Sequence, residues 1–351
     1  MTAGLAWLRN HLFSSPINVA LTLAALWLLY VTVPPFVEWA ILDASLSGAT
    51  RADCDAGGAC WVFVKQRLPQ FLYGLYPPEA RWRVDVAFAL LILIAAPLFV
   101  RRAPGKRWIG LFLLAGYPWI AFALFAGGLF GLAPVETNLW GGLMLTLIVA
   151  GVGMAGSLPI GVLFALGRQS DLPAIKAISV AFIEIMRGVP LVTVLFMASV
   201  MFPLFLPEGM NIDKLLRALV GVMLFAGAYM AEVVRGGLQA IPRGQYEAAA
   251  ALGLGYWRTM GLVVLPQALR IVIPGIVNSF IALFKDTTLV LIIGLFDLLG
   301  AIHAALTDPA WLGFATEGYV FAAVVYWVFC FSMSRYSLAI ERRLAQGERR
   351  G

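Results

Sequence analysis

One length recurs along this chain, and it sets most of the limits on what the chain can be. Apolar runs of about 20 residues follow one another, the length at which a helix crosses the hydrocarbon core of a bilayer. Eight segments can be placed, at about 18–39, 84–100, 108–130, 141–167, 176–205, 215–234, 267–305 and 317–340, with edges that sequence fixes only to a few residues. Of the 351 residues, 61% are hydrophobic and 13% charged, whereas an ordinary globular chain carries about 25% charge. The expected class is therefore an all-α integral membrane protein of about eight transmembrane helices. The first run is too long for a signal peptide, and no small-x-small cleavage site follows it, so it reads as a retained helix. The seventh is too long for one straight span. Pro274 and the polar group Lys285-Asp286-Thr287-Thr288 interrupt it, which predicts a bent or broken helix.

The charges give an orientation rather than a ligand. The net charge of +6 would suggest nucleic acid in a soluble protein, but here most of the 25 Lys and Arg flank the spans. Short connections on the side of the termini hold the excess, which predicts that both termini are cytoplasmic. Trp108, Trp140 and Trp327, near span ends, read as interface anchors. The 2 histidines, His11 and His303, lie far apart, and the 3 cysteines fall short of a zinc ribbon, so no metal site is expected. Cys54 and Cys60 lie in the longest outside segment, about 40–83, with two glycines between them. An oxidising compartment would close that pair as a disulfide, ordering the loop locally.

The segment 235–266, RGGLQAIPRGQYEAAAALGLGYWRTMGLVVLP, carries the most specific pattern. Glu247-Ala248-Ala249 is followed at fixed distances by Gly253 and by Leu265-Pro266. Alanines favour helix and present no bulk, so a short helix here can seat in a partner's groove, and Gly253 can reverse the chain after it. The pattern resembles the EAA loop of permease subunits in ABC importers, E-A-A-x3-G-x9-I-x-L-P, with Val263 at the Ile position. Phe182–Leu191, which contains Glu184, Arg187-Gly188 and Pro190-Leu191, resembles the E-x-x-R-G-T-P-L stretch of permeases for polar amino acids and opines. Val189 stands where those permeases carry Thr. Lys285-Asp286-Thr287-Thr288-Leu289 with Ile293-Gly294 resembles their K-D-T-S-L…I-G stretch, with Thr288 in place of Ser.

The resemblance covers about 139–342. It implies a five-helix importer core, preceded by a three-span extension over 1–138 and followed by a cytoplasmic tail, 343–351. The layout is similar to the larger membrane subunit of general L-amino-acid transporters of Gram-negative bacteria. What it implies is a permease of the bacterial inner membrane for L-amino acids, polar or broad in range. The implied partners are a dimer of ATP-binding subunits, a second and paralogous permease subunit, and a periplasmic amino-acid-binding protein. No cofactor is expected on this chain; ATP and Mg belong to the ATPase. The sequence agrees, because its one Gly-Lys pair, Gly105-Lys106, is followed by Arg107 and not by Ser or Thr. The rival is an ion-coupled secondary carrier using Glu184, Glu232 or Asp286, since intramembrane acids are functional candidates by default. Against it, five core spans make no two-fold inverted repeat, and no internal sequence repeat is visible.

An amino acid entering a membrane cavity brings one ammonium and one carboxylate, each costly to leave unpaired. Lys285 and Asp286 offer both signs, and the hydroxyls of Thr287 and Thr288 add donors and acceptors. Glu184 and Arg187 provide a second wall, unless they pair with each other one turn apart. The same four charges would serve equally well as a brace between spans five and seven.

Overall fold

The computed structural model describes residues 7–8, 10–54, 57–100, 103–129 and 131–348, with side chains described as far as Arg342. The chain is 79% helix, and only isolated β-bridges occur among the described residues. Among these residues, seven helical segments are long and apolar enough to cross a membrane, and an eighth counts if one bent pair is a single span. By internal contacts the chain divides into two compact units, Met1–Leu68 with Leu306–Phe321, and Pro69–Ala305 with Ala322–Gly351. That division follows packing, and its boundaries differ from the 138/139 boundary expected from the resemblance.

The first unit begins with α1 (Pro16–Val37). Ser15 caps it by accepting the Asn18 N–H at 3.2 Å, and Pro16 fits the first turn because no intrahelical donor is needed there. No residue of α1 is buried. Beyond a π-turn over Glu38–Leu42, Asp53 closes a small loop by accepting the N–H groups of Ala49 at 2.9 Å and Thr50 at 2.8 Å. Cys54 and Cys60 form a disulfide, with their Cα atoms 5.5 Å apart. Cys60 donates its backbone N–H to Glu317 at 3.0 Å, Arg67 pairs with Asp308, and Phe63 packs against Trp311 with centroids 5.6 Å apart. Helix α2 (Trp61–Tyr73) leads out of this unit.

The second unit holds α3 (Arg81–Phe99), α4 (Lys106–Ala115) and α5 (Tyr117–Ala126), of which α4 and α5 together make one span. Then come α6 (Gly142–Arg168), α7 (Pro173–Gly188), α8 (Leu191–Phe196) and α9 (Lys214–Gln239). Between Tyr73 and α6 the backbone runs unusually close to itself. Gly74 and Gly142 hold φ of 66° and 63°, and a Cβ on Gly74, Gly141 or Gly142 would strike backbone. Gly142 donates to Phe296 O at 2.8 Å, and isolated bridges join Gly74 to Trp140 and Gly142 to Asp297. Trp140 is correspondingly 4% exposed and packed on Phe125, not an interface anchor, whereas Trp108 and Trp327 are exposed as expected.

Span five differs from the single run expected at 176–205. Pro190 lacks an N–H and forces Val189 to an extended φ of −109° and ψ of 136°, so α7 and the helical stretch to Phe205 meet at 106°. After α10 (Arg243–Ala251), α11 (Tyr256–Thr259) and α12 (Leu265–Ile271), span seven is interrupted at Pro274 as expected: α12 stops at Ile271, and Pro274 occupies the first turn of a new helix, α13 (Ile273–Asp286). At Thr287 the helix does not break; it tightens to a 3₁₀ turn over Thr287–Ile293 and stops at Gly294. The hydroxyls of Thr287 and Thr288 fold back on the carbonyls of Phe284 and Lys285 at 2.8 and 3.0 Å. Helices α14 (Leu298–Leu306) and α15 (Ala315–Glu348) complete the chain.

Candidate functional site

Helices α6, α9 and α13 line a half-open cavity of about 290 Å³. Small residues make the approach possible: a Cβ on Gly161 of α6 would meet Met230 of α9, and one on Gly227 of α9 would meet Ile160. The polar lining is Ser157, Tyr229, Asn278, Ser279 and Asp286, set among apolar groups such as Phe225 and Phe280. Asp286 is the one charged group among the lining residues. The hydroxyls of Ser157 and Ser279 donate to carbonyls of their own helices, at 3.0 Å each, which leaves their lone pairs as acceptors. A cavity with one carboxylate and several acceptors suits a cationic group such as an ammonium. A larger hollow of 410 Å³, lined by Glu136, Asp213 and Lys214, holds none of the residues expected from sequence.

The expected second wall is arranged differently. Glu184 and Arg187 do not pair with each other among the described ion pairs. Arg168, at the end of α6, donates to Glu184 at 3.0 Å and to Glu232 of α9 at 2.7 Å. Glu232 also accepts from Arg235 at 2.7 Å and lies 3.8 Å from Arg187. Three arginines and two glutamates thus join α6, α7 and α9, with Glu232 at the centre and only 16% exposed. Lys285 is exposed and neither it nor Asp286 enters an ion pair among the described residues. The four charges expected as one brace between spans five and seven therefore separate into two groups. Tyr229 stands between them: it lines the cavity with Asp286, and the Arg187 guanidinium lies 5.6 Å from its ring centroid.

The sequence flagged Glu184, Arg187 and Asp286, and weighed Glu232 only for a proton-coupled carrier. It offered no signal for Tyr229 or Asn278. Arg168 and Arg235 are among the basic residues that flank the spans, and nothing in the local sequence marks their pairing with Glu184 and Glu232.

The segment 235–266 contains the short helix and the reversal at Gly253 that its sequence implies. Helix α10 (Arg243–Ala251) ends in two reversed hydrogen bonds, Gly253 N–H to Ala250 O at 2.9 Å and Leu254 N–H to Ala249 O at 3.1 Å. This is a Schellman closure with Gly253 at φ 72°. A Cβ there would meet open space, so glycine is required by backbone conformation and not by crowding. Ala249 is buried, while Glu247, Ala248, Leu252 and Trp257 are exposed, the last two at 79% and 77%. The short α11 (Tyr256–Thr259) and a π-turn over Met260–Val264 carry the chain to α12 (Leu265–Ile271), which Leu265-Pro266 opens.

A family model described as "Binding-protein-dependent transport system inner membrane component" matches residues 157–346. Along nearly all its length the chain is similar to the inner membrane amino-acid ABC transporter permease protein YhdY of Escherichia coli (strain K12). The two are 58% identical over 344 residues, covering 98% of this chain and 94% of that protein. It is also 41% identical over 411 residues to the glutamate/glutamine/aspartate/asparagine transport system permease protein BztC of Rhodobacter capsulatus, covering 98% and 94%. Among solved structures it resembles one described as "Crystal structure of an amino acid ABC transporter with histidines", with a TM-score of 0.51 and 30% identity, covering 57% of this chain and 91% of that one. This chain therefore belongs to the binding-protein-dependent transport system inner membrane component family, and within it to the amino-acid ABC transporter permeases.

Proposed function

We propose that this chain, together with a second and paralogous permease subunit, frames the path by which an ATP-driven importer moves L-amino acids across the inner membrane. Both termini face the cytoplasm in this reading. Residues 139–342 form the core and 1–138 an added three-span extension. Polar cargo, or a broad range that includes it, fits both the carboxylate-bearing cavity and the substrates in the name of the Rhodobacter relative. The ammonium common to all amino acids would face Asp286. Lys285, Thr287, Thr288, Glu184 and Arg187 belong to the surrounding path. A periplasmic amino-acid-binding protein delivers the cargo, and a separate ATPase dimer binds ATP and Mg.

The observation that carries the coupling part of this reading is the exposed end of α10. A short, alanine-rich helix that buries Ala249 on its own chain ends in a reversed turn and displays Glu247, Ala248 and Leu252 beside Trp257. Exposed apolar side chains of this size in a polar loop suit a partner's groove. The test is purification of the whole transporter through a tag on this chain. An ATPase should co-purify, and Gly253→Asp, which places an L-residue at positive φ at a cost of about 1–2 kcal/mol, should lower amino-acid uptake without preventing membrane insertion. Glu247→Lys should do the same by reversing charge at the docking face. Normal uptake and normal ATPase association in both variants would remove the docking assignment. Amino-acid uptake by the chain with no ATPase present would instead favour an ion-coupled carrier.

A further inference from the structure

Glu184 and Arg187 belong to a five-charge cluster whose connection to the cavity runs through one side chain. Tyr229 lines the cavity. The Arg187 guanidinium lies over its ring, 5.6 Å from the centroid. Glu232, the hub of the cluster, is one helical turn further along α9, and its pairing with Arg187 is the loosest, 3.8 Å against 2.7 Å for Arg168 and Arg235. Arg187 is thus divided between a carboxylate and an aromatic face, and a small movement of the ring changes which of them holds it. Arg187 also sits at the end of α7, one residue from the Gly188–Pro190 break where the chain turns by 106°, so the helix that carries it ends at a joint. Glu232 and its arginines, meanwhile, tie the end of α6 to α7 and α9.

We infer that Tyr229 is a positioning residue that transmits occupancy of the cavity to a latch made by Arg168, Glu184, Arg187, Glu232 and Arg235. Cargo beside Asp286 moves the Tyr229 ring, Arg187 leaves Glu232, and α7 is freed to turn at its break; the empty cavity leaves the latch shut. This rests on the reading of the cavity as the cargo site.

The test uses the complete transporter in liposomes with its binding protein, and an equimolar mixture of the standard L-amino acids as the probe. Two quantities are read, basal ATP hydrolysis and its stimulation by the probe. Tyr229→Leu, which keeps bulk but removes the aromatic face, should lower the stimulated-to-basal ratio about two- to five-fold, the size expected for losing a partly exposed cation–π contact. Tyr229→Phe, which keeps the face, should restore it. Glu232→Gln should raise basal hydrolysis about five-fold, the lower end of ordinary coupling between sites. A purely structural role for Tyr229 predicts equal loss of thermal stability in the Leu and Phe variants with the ratio unchanged, and that result overturns the inference. So does unaltered basal hydrolysis in an assembled Glu232→Gln transporter. If the unmodified transporter shows no probe stimulation at all, the cargo reading fails and the latch fails with it. Stimulation in the unmodified protein that persists undiminished in Tyr229→Leu removes the latch alone.

Discussion

Helices α1 and α9 look alike to any measure of hydropathy and behave in opposite ways. Both are long enough to cross a bilayer, with mean hydropathies of 1.8 and 1.6 over their best windows. Yet α1 has no buried residue, whereas half of the corresponding α9 window is buried. The difference lies in where bulk sits. Leu26-Trp27-Leu28-Leu29-Tyr30 puts large side chains on every face of α1, and all five are more than half exposed. In α9, Ala218, Gly221, Gly227, Ala228 and Ala231 are buried small residues; a Cβ on Gly227 would meet Ile160 of α6, and one on Gly221 would meet Val194 of α8. Hydropathy thus reports which segments suit lipid, and the distribution of small residues reports which of them meet protein.

The largest effect should come from filling the α6–α9 contact. Gly161→Val drives a branched side chain into Met230, side chain and backbone both, and should cost about 3 kcal/mol or prevent assembly. Leu26→Ala in α1 should stay within about 0.5 kcal/mol. Thermal unfolding in detergent measures both, and equal losses would erase the contrast between the two helices.

A smaller effect sharpens the contrast from the cavity side. Asp286→Asn should reduce reconstituted uptake of every amino acid tested by about tenfold, equivalent to ~1.4 kcal/mol, with assembly intact. Lys285→Met, on an exposed position outside any described ion pair, should leave thermal stability unchanged. Loss of assembly in both would show that these charges act as braces.

The smallest effect belongs to the loop that follows α1. The backbone N–H groups of Ala49 and Thr50, and then the Thr50 hydroxyl, hold the Asp53 carboxyl below the usual carboxylate range. An acid depressed in the folded state stabilises above its unfolded pKa, and the contribution disappears as pH falls through the folded one. Amide exchange at Ala49 and Thr50 should therefore be slow at neutral pH and lose protection only in strong acid. In Asp53→Asn it should be fast throughout. Because the carboxylate is exposed, global stability should not follow.

What the sequence disclosed and what it withheld divide along covalent distance. The α10 motif was legible because its Glu, Ala, Gly and Leu-Pro sit at fixed spacing on one continuous segment, and the chemistry of each residue type fits its place. The spans were legible because bilayer thickness fixes their length. Span five reads as continuous in sequence, although Val189-Pro190 carries the break, because apolar residues on both sides mask it. Glu184 and Arg187 suggested a local pair by spacing alone, and only the folded contact of three helices shows that each has a partner elsewhere. Tyr229 was invisible because its importance comes from standing between two sites, which a side chain's identity does not announce.

The glycine crossing at 74, 141 and 142 bears on how separable the parts of this permease are. Gly74 lies ahead of α3, and Gly141 and Gly142 open α6, yet their backbones touch, and Gly141 and Gly142 also lie against Phe296-Asp297. No side chain intervenes to absorb a mismatch there. Modularity therefore ends upstream of the apparent junction near 138. A chimera that exchanges cores between relatives at that junction would pair a foreign backbone with Gly74, while one joined before Pro69, where the contact boundary falls, carries the whole crossing with it.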